Sequence, residues 1–191
     1  YCQIARSCCQ GLVASRVFAD DARAPTAAVL SLSRMGIGFA AGDARQASGL
    51  LDCLRGWHAW YEIANPPPSW HPALAAWSRD SFATVRYGFA AGASGFDLDK
   101  LRAWASPPPG TRLRRYDETL LRQALSSAWS EDQLGAFETP EAFCERGVGI
   151  ALVSGDGTLL AGCASFCRHA DGYEIQIDTH PWSAPSLCTN Q

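Results

Sequence analysis

The chain has 191 residues, of which 47% are hydrophobic and 18% charged, and its net charge is −3 at pH 7. This composition excludes a disordered chain and supplies enough apolar side chains for a packed core. The small negative charge gives no electrostatic footprint for nucleic acid, so we expect no nucleic-acid partner. No apolar run approaches the roughly 18–20 residues that a membrane span needs, so we expect no membrane association.

Eight cysteines raise the question of disulfides. Most of them lie within apolar, core-like patterns and not in a loop-rich scaffold, and no secretory signal peptide precedes them. We therefore expect reduced thiols and a cytoplasmic location. The sequence does not indicate the oligomeric state.

The N-terminal half predicts three short strands and one helix, whereas residues 1–15 have no clear pattern. Asp43 is a candidate N-cap, because its side chain can accept hydrogen bonds from free amides of the first helical turn. A buried stripe of leucines follows within the helix. The predicted strands are residues 16–19, 26–33 and 37–41, and the predicted helix is 44–55.

Two glycine-containing patterns occur here. Residues 36–41, GIGFAA, fit a relaxed dinucleotide-binding fingerprint, but the glycines lie inside an apparent strand, which favours close strand packing over nucleotide binding. The pentapeptide GFAAG occurs at 38–42 and again at 88–92. It favours two related strand–helix units, with coincidence as the alternative; the second helix is predicted at 98–105.

The segment 57–77 holds four tryptophans and two histidines. One hypothesis is an aromatic substrate pocket, with Trp70 as a candidate lining residue. The alternative, which we favour, is that these tryptophans cover a thin core. His58 and His71 have no carboxylate or thiol nearby at metal-binding spacing, so we expect no metal site.

The proline run 107–109 followed by Gly110 marks a boundary, so we divide the chain into domains 1–110 and 111–191. A strand at 111–116 and a helix at 118–128 come next, then a helical piece from Ser130 and a short helix that begins at Pro140. Gly147 is expected to end that helix as a C′ glycine.

Residues 147–179 predict a three-stranded antiparallel meander, because Asp-Gly turn cues at 155–157 and 171–172 separate three apolar runs. Strand alternation would put Cys163, Ser165 and Cys167 on one face. A metal site or a nucleophile is one interpretation of that face, and small core residues are the favoured one. The whole chain is thus predicted to be α+β, with mixed, mainly antiparallel sheets and flanking helices.

Three segments resemble the GNAT-type acetyltransferases whose members carry a divergent N-terminal domain: WSEDQLGAF (129–137), GVGIALVSGDGTLLAGCASF (147–166) and above all EIQIDTHP (174–181). The resemblance implies transfer of an acetyl group from acetyl-CoA to a small-molecule or peptide amine. It also implies that the last strand binds the pantetheine arm, with contacts from Ile177, Asp178 and Thr179. Glu174 is the candidate general base, Asp178 and His180 are alternatives, and Trp129 is a second candidate for the substrate pocket.

After Pro181 the sequence WSAPSLCTNQ lacks the glycine- and arginine-containing loop with which the superfamily binds the CoA pyrophosphate. We therefore expect a truncated catalytic domain with a divergent tail at 182–191, and weak acetyl-CoA binding with little or no activity. The alternative is a non-enzymatic binding module that uses the tryptophan-rich N-terminal half.

Overall fold

The computed structural model describes residues 3–85, 96–169 and 172–181. These residues form six helices and two four-stranded sheets, which confirms the α+β prediction. Three 3₁₀ turns precede helices or loops. The second GFAAG copy, at 88–92, lies outside the described residues.

Sheet A is in the N-terminal half and has the order β1-β2-β3-β4. Its first three strands are antiparallel, and β4 pairs with β3 in parallel. The strands are β1 (Ser15–Ala19), β2 (Ala27–Leu32), β3 (Ile37–Gly42) and β4 (Glu62–Ile63).

Three helices follow the strands of sheet A, and two of them contribute to its core. The predicted helix 44–55 is a 3₁₀ turn, Ala44–Gln46, followed by α2 (Ala47–Asp52). Asp43 caps this turn by accepting a hydrogen bond from the Arg45 amide at 2.9 Å. A second 3₁₀ turn, Pro68–Trp70, leads into α3 (His71–Trp77), and α4 (Leu98–Trp104) comes later.

Sheet B is in the C-terminal half, is antiparallel throughout and has the order β5-β6-β7-β8. The meander is therefore confirmed. The strands are β5 (Thr111–Arg115), β6 (Gly149–Ser154), β7 (Leu159–His169) and β8 (Gly172–Thr179), and the helices are α5 (Glu118–Leu125) and α6 (Pro140–Arg146), with a 3₁₀ turn, Glu131–Leu134, between them.

One face of sheet B is covered by α5 and by the residues around the Glu131–Leu134 turn. Leu121 and Ala124 of α5 pack there with Ala151 and Val153 of β6, and all four are fully buried. The other face remains open within the described chain, where Leu113, Ile150 and Ile177 are exposed.

The first helix, α1 (Gln3–Cys9), was not predicted. Ile4 and Cys8 pack with Leu32 of sheet A and with Phe166 and Cys167 of sheet B, so the two halves share an apolar cluster. The Arg34 guanidinium also crosses between the halves, donating to the carbonyl of Gly135. The domain division near residue 110 stays a prediction.

One local expectation is right in position but not in geometry, and another is wrong. Gly147 ends α6 as expected, but its φ is −94° and it does not adopt the left-handed conformation of a C′ glycine. Glycine is needed there for space, because an added Cβ would lie 2.9 Å from the Phe143 carbonyl oxygen. In β7, a bulge between Ser165 and Cys167 places Cys167 opposite Glu174, whereas Cys163 and Ser165 lie opposite Ile177 and Ile175. Cys167 is therefore on the other face.

Six cysteines lie in the described ranges and none of them forms a disulfide there: Cys8, Cys9, Cys53, Cys144, Cys163 and Cys167. Within the same ranges, no helix is both long and apolar enough to cross a membrane.

Candidate functional site

The candidate site lies along β8, which is the edge of sheet B among the described strands. Ile175 and Ile177 are 52% and 69% exposed. Glu174, Gln176 and Asp178 alternate with them and are half-buried. In a sheet with one covered face, apolar side chains usually point to the covered face and polar ones to solvent. The side chains of β8 have the opposite arrangement. The polar side of β8 therefore faces the covered side of sheet B.

One side of the β8 backbone pairs with β7, and the other side has no partner strand among the described residues, so we call it the open edge. The His180 amide donates to the Leu160 carbonyl at 2.8 Å, and the register continues with Asp178 opposite Gly162. Because hydrogen-bonded and non-hydrogen-bonded pairs alternate in an antiparallel ladder, Ile177 and Thr179 belong to the non-hydrogen-bonded pairs. Their N–H and C=O groups therefore point away from β7, towards the open edge.

Asp178 is held by two amide side chains. Gln133, from the Glu131–Leu134 turn, is fully buried and donates from Nε2 to Oδ2 of Asp178. Gln176 donates from its own Nε2 to both carboxylate oxygens at 3.1 Å. On its other side, Gln133 accepts a hydrogen bond from the Tyr116 hydroxyl at 3.3 Å. These four residues form a network over β7 that we call the Gln133 network.

The Gln133 network packs directly against Gly162 of β7. A Cβ at Gly162 would overlap the Tyr116 hydroxyl and the Gln133 amide oxygen. Burial raises the pKa of Tyr116 well above its usual value, and the nearby charge of Asp178 adds to this. Tyr116 therefore stays neutral and remains a hydrogen-bond donor.

His180 and Trp129 come together at the end of β8, as two of the predicted site residues. Their ring centroids are 5.2 Å apart in an edge-to-face arrangement. Trp129 is partly buried and packs against the core of sheet B. Asp178, His180 and Trp129 therefore lie at one end of β8.

Glu174 lies apart from that group. It is four residues before Asp178, which corresponds to about 13 Å along a strand. It is half-buried opposite Cys167. No hydrogen bond or ion pair joins its carboxylate to another side chain in the described part of the chain. It is thus the one carboxylate on β8 without such a partner there.

Trp70 is not near this site. It is fully buried in the core of sheet A, and its indole nitrogen donates to the Gly42 carbonyl at 3.0 Å. The structure thus places it among packing residues and does not bring it to Trp129.

The charges around the Gln133 network are predominantly acidic. Burial raises the pKa of Asp132, and the neighbouring charges of Asp178 and Glu131 raise it further, while Arg34 opposes the shift. In the described ranges, no group of three or more His, Cys, Asp or Glu side chains is arranged to hold a metal ion.

Tyr116 and Gln133 were not predicted as site residues. Ser130-Glu131-Asp132-Gln133 has the composition of an exposed helix start, so nothing local indicates a fully buried glutamine. Only the long-range packing of this turn onto β7 brings its amide to Asp178.

Comparison with known families identifies the fold. The family model described as GNAT acetyltransferase matches residues 1–183. The chain belongs to the GNAT acetyltransferase family. The match covers both halves, so the resemblance of the segments at 129–137, 147–166 and 174–181 is confirmed at the level of the family.

Among solved structures, the following one is similar to this GNAT family member. It is the crystal structure of a GCN5-related N-acetyltransferase-like protein from Streptococcus suis 89/1591, with a TM-score of 0.70 and 22% identity. The likeness covers 90% of this chain and 68% of that one. At this identity it supports the shared fold alone. No curated protein matches the chain.

Proposed function

We propose that β8 of this chain forms part of a site that transfers an acetyl group from acetyl-CoA to an amine by direct attack. Membership of the GNAT family supports acetyl transfer as the reaction class. The observation that carries the proposal is the open edge of β8, where the backbone groups of Ile177 and Thr179 face outward.

A strand edge of this kind suits the pantetheine arm of acetyl-CoA. The arm is an extended chain with two amides, and an extended chain can pair with an exposed sheet edge through main-chain hydrogen bonds. In this proposal Ile177 and Thr179 supply backbone contacts. Asp178 has no such contact in this proposal, because its N–H and C=O face β7, and its carboxylate is held by Gln133 and Gln176.

Direct attack requires a neutral amine, so a base must remove its proton. A carboxylate already occupied by donors is a poor base, because those hydrogen bonds stabilise its ionised form. Of the two carboxylates on β8, Glu174 is the one without such donors among the described side chains. We therefore assign the base to Glu174, with Asp178 and His180 as its alternatives.

NMR titration of the ¹⁵N-labelled chain with pantetheine, and separately with acetyl-CoA, tests whether the open edge of β8 binds the pantetheine arm. The amides of Ile177 and Thr179 should shift with ligand concentration, and more than the amide of Asp178. Ile177→Pro removes one outward N–H without breaking the ladder to β7, a position where edge strands tolerate proline. It should abolish the shifts, whereas Ile177→Ala should keep them. Absence of shifts in β8 at millimolar ligand would overturn the proposal.

Glu174→Gln tests the base. The slow acetyl transfer that we expect from this chain, measured with a panel of primary amines, should fall by about a hundredfold and lose its rise with pH. A hundredfold is about the lower range for loss of a general base. Glu145→Gln, an exposed carboxylate on α6, is the matched control and should leave the profile unchanged. An unchanged profile in Glu174→Gln would remove Glu174 from the mechanism.

A second candidate function, small-molecule binding in the N-terminal half, is supported by a cavity of about 220 Å³ lined by Arg16, Ser33, Trp57 and His58. The Arg16 guanidinium lies 4.2 Å from the centre of the Trp57 ring. Ligand-observed NMR with a fragment library tests it. Binding that is lost in Trp57→Ala but kept in Trp60→Ala, where the tryptophan is 62% exposed, favours this function; binding unaffected by either variant counts against it.

A further inference from the structure

A second cavity lies where the N-terminal helix meets sheet B. It has a volume of about 400 Å³ and is lined by Gln10, Leu12, Phe137, Arg146 and Arg168. These residues come from the loop after α1, the loop before α6, the end of α6 and the end of β7. The cavity therefore exists only when the two halves of the chain are packed together.

Two guanidinium groups and no carboxylate line this cavity in the described structure. The Nε atom of Arg146 is buried and has no hydrogen-bond partner among the described residues. Within the same residues, neither Arg146 nor Arg168 takes part in an ion pair. A buried donor without an acceptor is rare in folded proteins, and a bound ligand is one of its recognised explanations.

Apart from the two arginines and Gln10, the cavity lining is apolar. Phe137 is only 5% exposed and forms one wall together with Leu12, whereas Gln10 adds an amide. A ligand that fills this space must place an anionic group against the arginines and an apolar body against Phe137. The volume is within the usual range for small-molecule sites.

We propose that this cavity binds a small carboxylate with an apolar body. The planar fork of a guanidinium matches the two oxygens of a carboxylate and donates two parallel hydrogen bonds. A phosphate could use the same donors, but it would leave the apolar wall uncovered. The proposal does not depend on acetyl transfer, since none of the lining residues belongs to β8.

The site nevertheless adjoins the start of β8. Arg168 pairs with Tyr173, and Glu174 follows that residue in the chain. A carboxylate bound between the arginines would therefore lie close to the β7–β8 end of sheet B, at the opposite end of β8 from His180.

Calorimetric and NMR titrations of the full chain with hexanoate test the proposal. Hexanoate should bind saturably and shift the Nε–Hε resonance of Arg146, and hexanamide, its neutral analogue, should not bind. Arg146→Gln and Arg168→Gln should each weaken hexanoate binding by about tenfold, as expected for loss of a charge-assisted pair. Arg112→Gln, an exposed arginine on β5, should bind as the parent does.

A titration with inorganic phosphate distinguishes between the two kinds of anion that the arginines can bind, carboxylates and phosphates. Weaker binding of phosphate than of hexanoate supports a carboxylate with an apolar body. Equal or tighter binding of phosphate overturns that assignment, as does hexanoate binding that is unchanged in both arginine variants. Arg168 is exposed on β7, so Arg168→Gln provides the test if Arg146→Gln does not fold.

Discussion

The two four-stranded sheets have the same strand order, but their buried polar groups differ. In the core of sheet A, Trp70 is fully buried and its indole nitrogen donates to one backbone carbonyl, whereas the buried indole nitrogen of Trp77 has no hydrogen-bond partner among the described residues. Next to the core of sheet B, Gln133 joins Tyr116 to Asp178 and thereby connects the core to the exposed strand β8. In sheet A these polar atoms stay within the core, whereas the hydrogen-bonded network of sheet B reaches β8, the strand that we propose as the ligand-binding edge.

The largest effect is expected from Trp70→Ala. Removing a fully buried tryptophan should lower the free energy of unfolding by about 3–5 kcal/mol, because the cavity left behind adds to the lost apolar burial. Urea denaturation measures it. Trp60→Ala is the control and should change stability by less than about 0.5 kcal/mol, since Trp60 is 62% exposed. A small loss in Trp70→Ala would show that sheet A does not depend on this packing.

Gln133→Leu tests the network of sheet B. It leaves the Tyr116 hydroxyl without its acceptor and Oδ2 of Asp178 without one of its donors, which should reduce stability by about 1–3 kcal/mol. Adding Tyr116→Phe should recover part of that loss, because contacting residues are not additive. Gln46→Leu, at an exposed glutamine, is the control. Full additivity in the double variant would contradict the hydrogen-bonded link.

A smaller effect is expected at the helix that covers sheet B. Asp117 caps α5, since its carboxylate accepts from the Leu120 amide at 2.9 Å. Asp117→Ala should cost about 1 kcal/mol in thermal or urea unfolding. Asp117→Asn should keep most of the stability, because asparagine caps comparably. If both variants lose the same amount, the exposed ion pair with Arg114, and not the cap, is the source.

The smallest effects concern pH and have opposite signs in the two halves. A hydrogen bond from the Thr26 side chain, with further bonds from the Ala27 and Thr26 amides, lowers the pKa of Asp20 from 3.8 to about 2. Because the pKa of Asp20 is lower in the folded state, its ionised form stabilises the fold. This stabilisation is present above pH 3.8 and is lost as the pH falls towards 2.

Asp132 behaves in the opposite way, since burial and the charges of Asp178 and Glu131 raise its pKa. Its ionised form is disfavoured in the folded state. Its contribution to the free energy of unfolding is therefore complete below pH 3.8 and declines as the pH rises above that value. Asp132→Asn should therefore gain stability relative to the parent at neutral pH, and Asp20→Asn should not. NMR titration of both carboxyl groups checks the directions; a raised pKa for Asp20 or a lowered one for Asp132 would contradict them.

The elements most accurately predicted from sequence are those defined by local chemistry. The turn predicted at 155–157 separates β6 from β7, and the predicted cap Asp43 accepts a hydrogen bond at the start of its helical segment. Helix α1 was missed because its stability comes from contact of Ile4 and Cys8 with both sheets, which no local pattern encodes.

The predicted site residues lie along β8 and at Trp129, whereas the predicted Trp70 is in the core of sheet A. Strand alternation correctly predicted that Ile177 and Asp178 lie on opposite faces of sheet B, and the family resemblance indicated β8 as the strand of the candidate site. The bulge in β7 and the partner of Asp178 could not be predicted, because no local pattern encodes either of them. The bulge is visible only in the β7–β8 register, which places Cys167 opposite Glu174, and Gln133 is 45 residues from Asp178.

The contact of Gly162 with Tyr116 and Gln133 has a consequence for how this family can diversify. A side chain at position 162 would need the space that the tyrosine hydroxyl and the glutamine amide occupy. Positions 116, 133 and 162 are therefore expected to change together among homologues. A mutant library that randomises position 162 alone would return mostly glycine, whereas one that varies all three would reach new polar networks beneath β8.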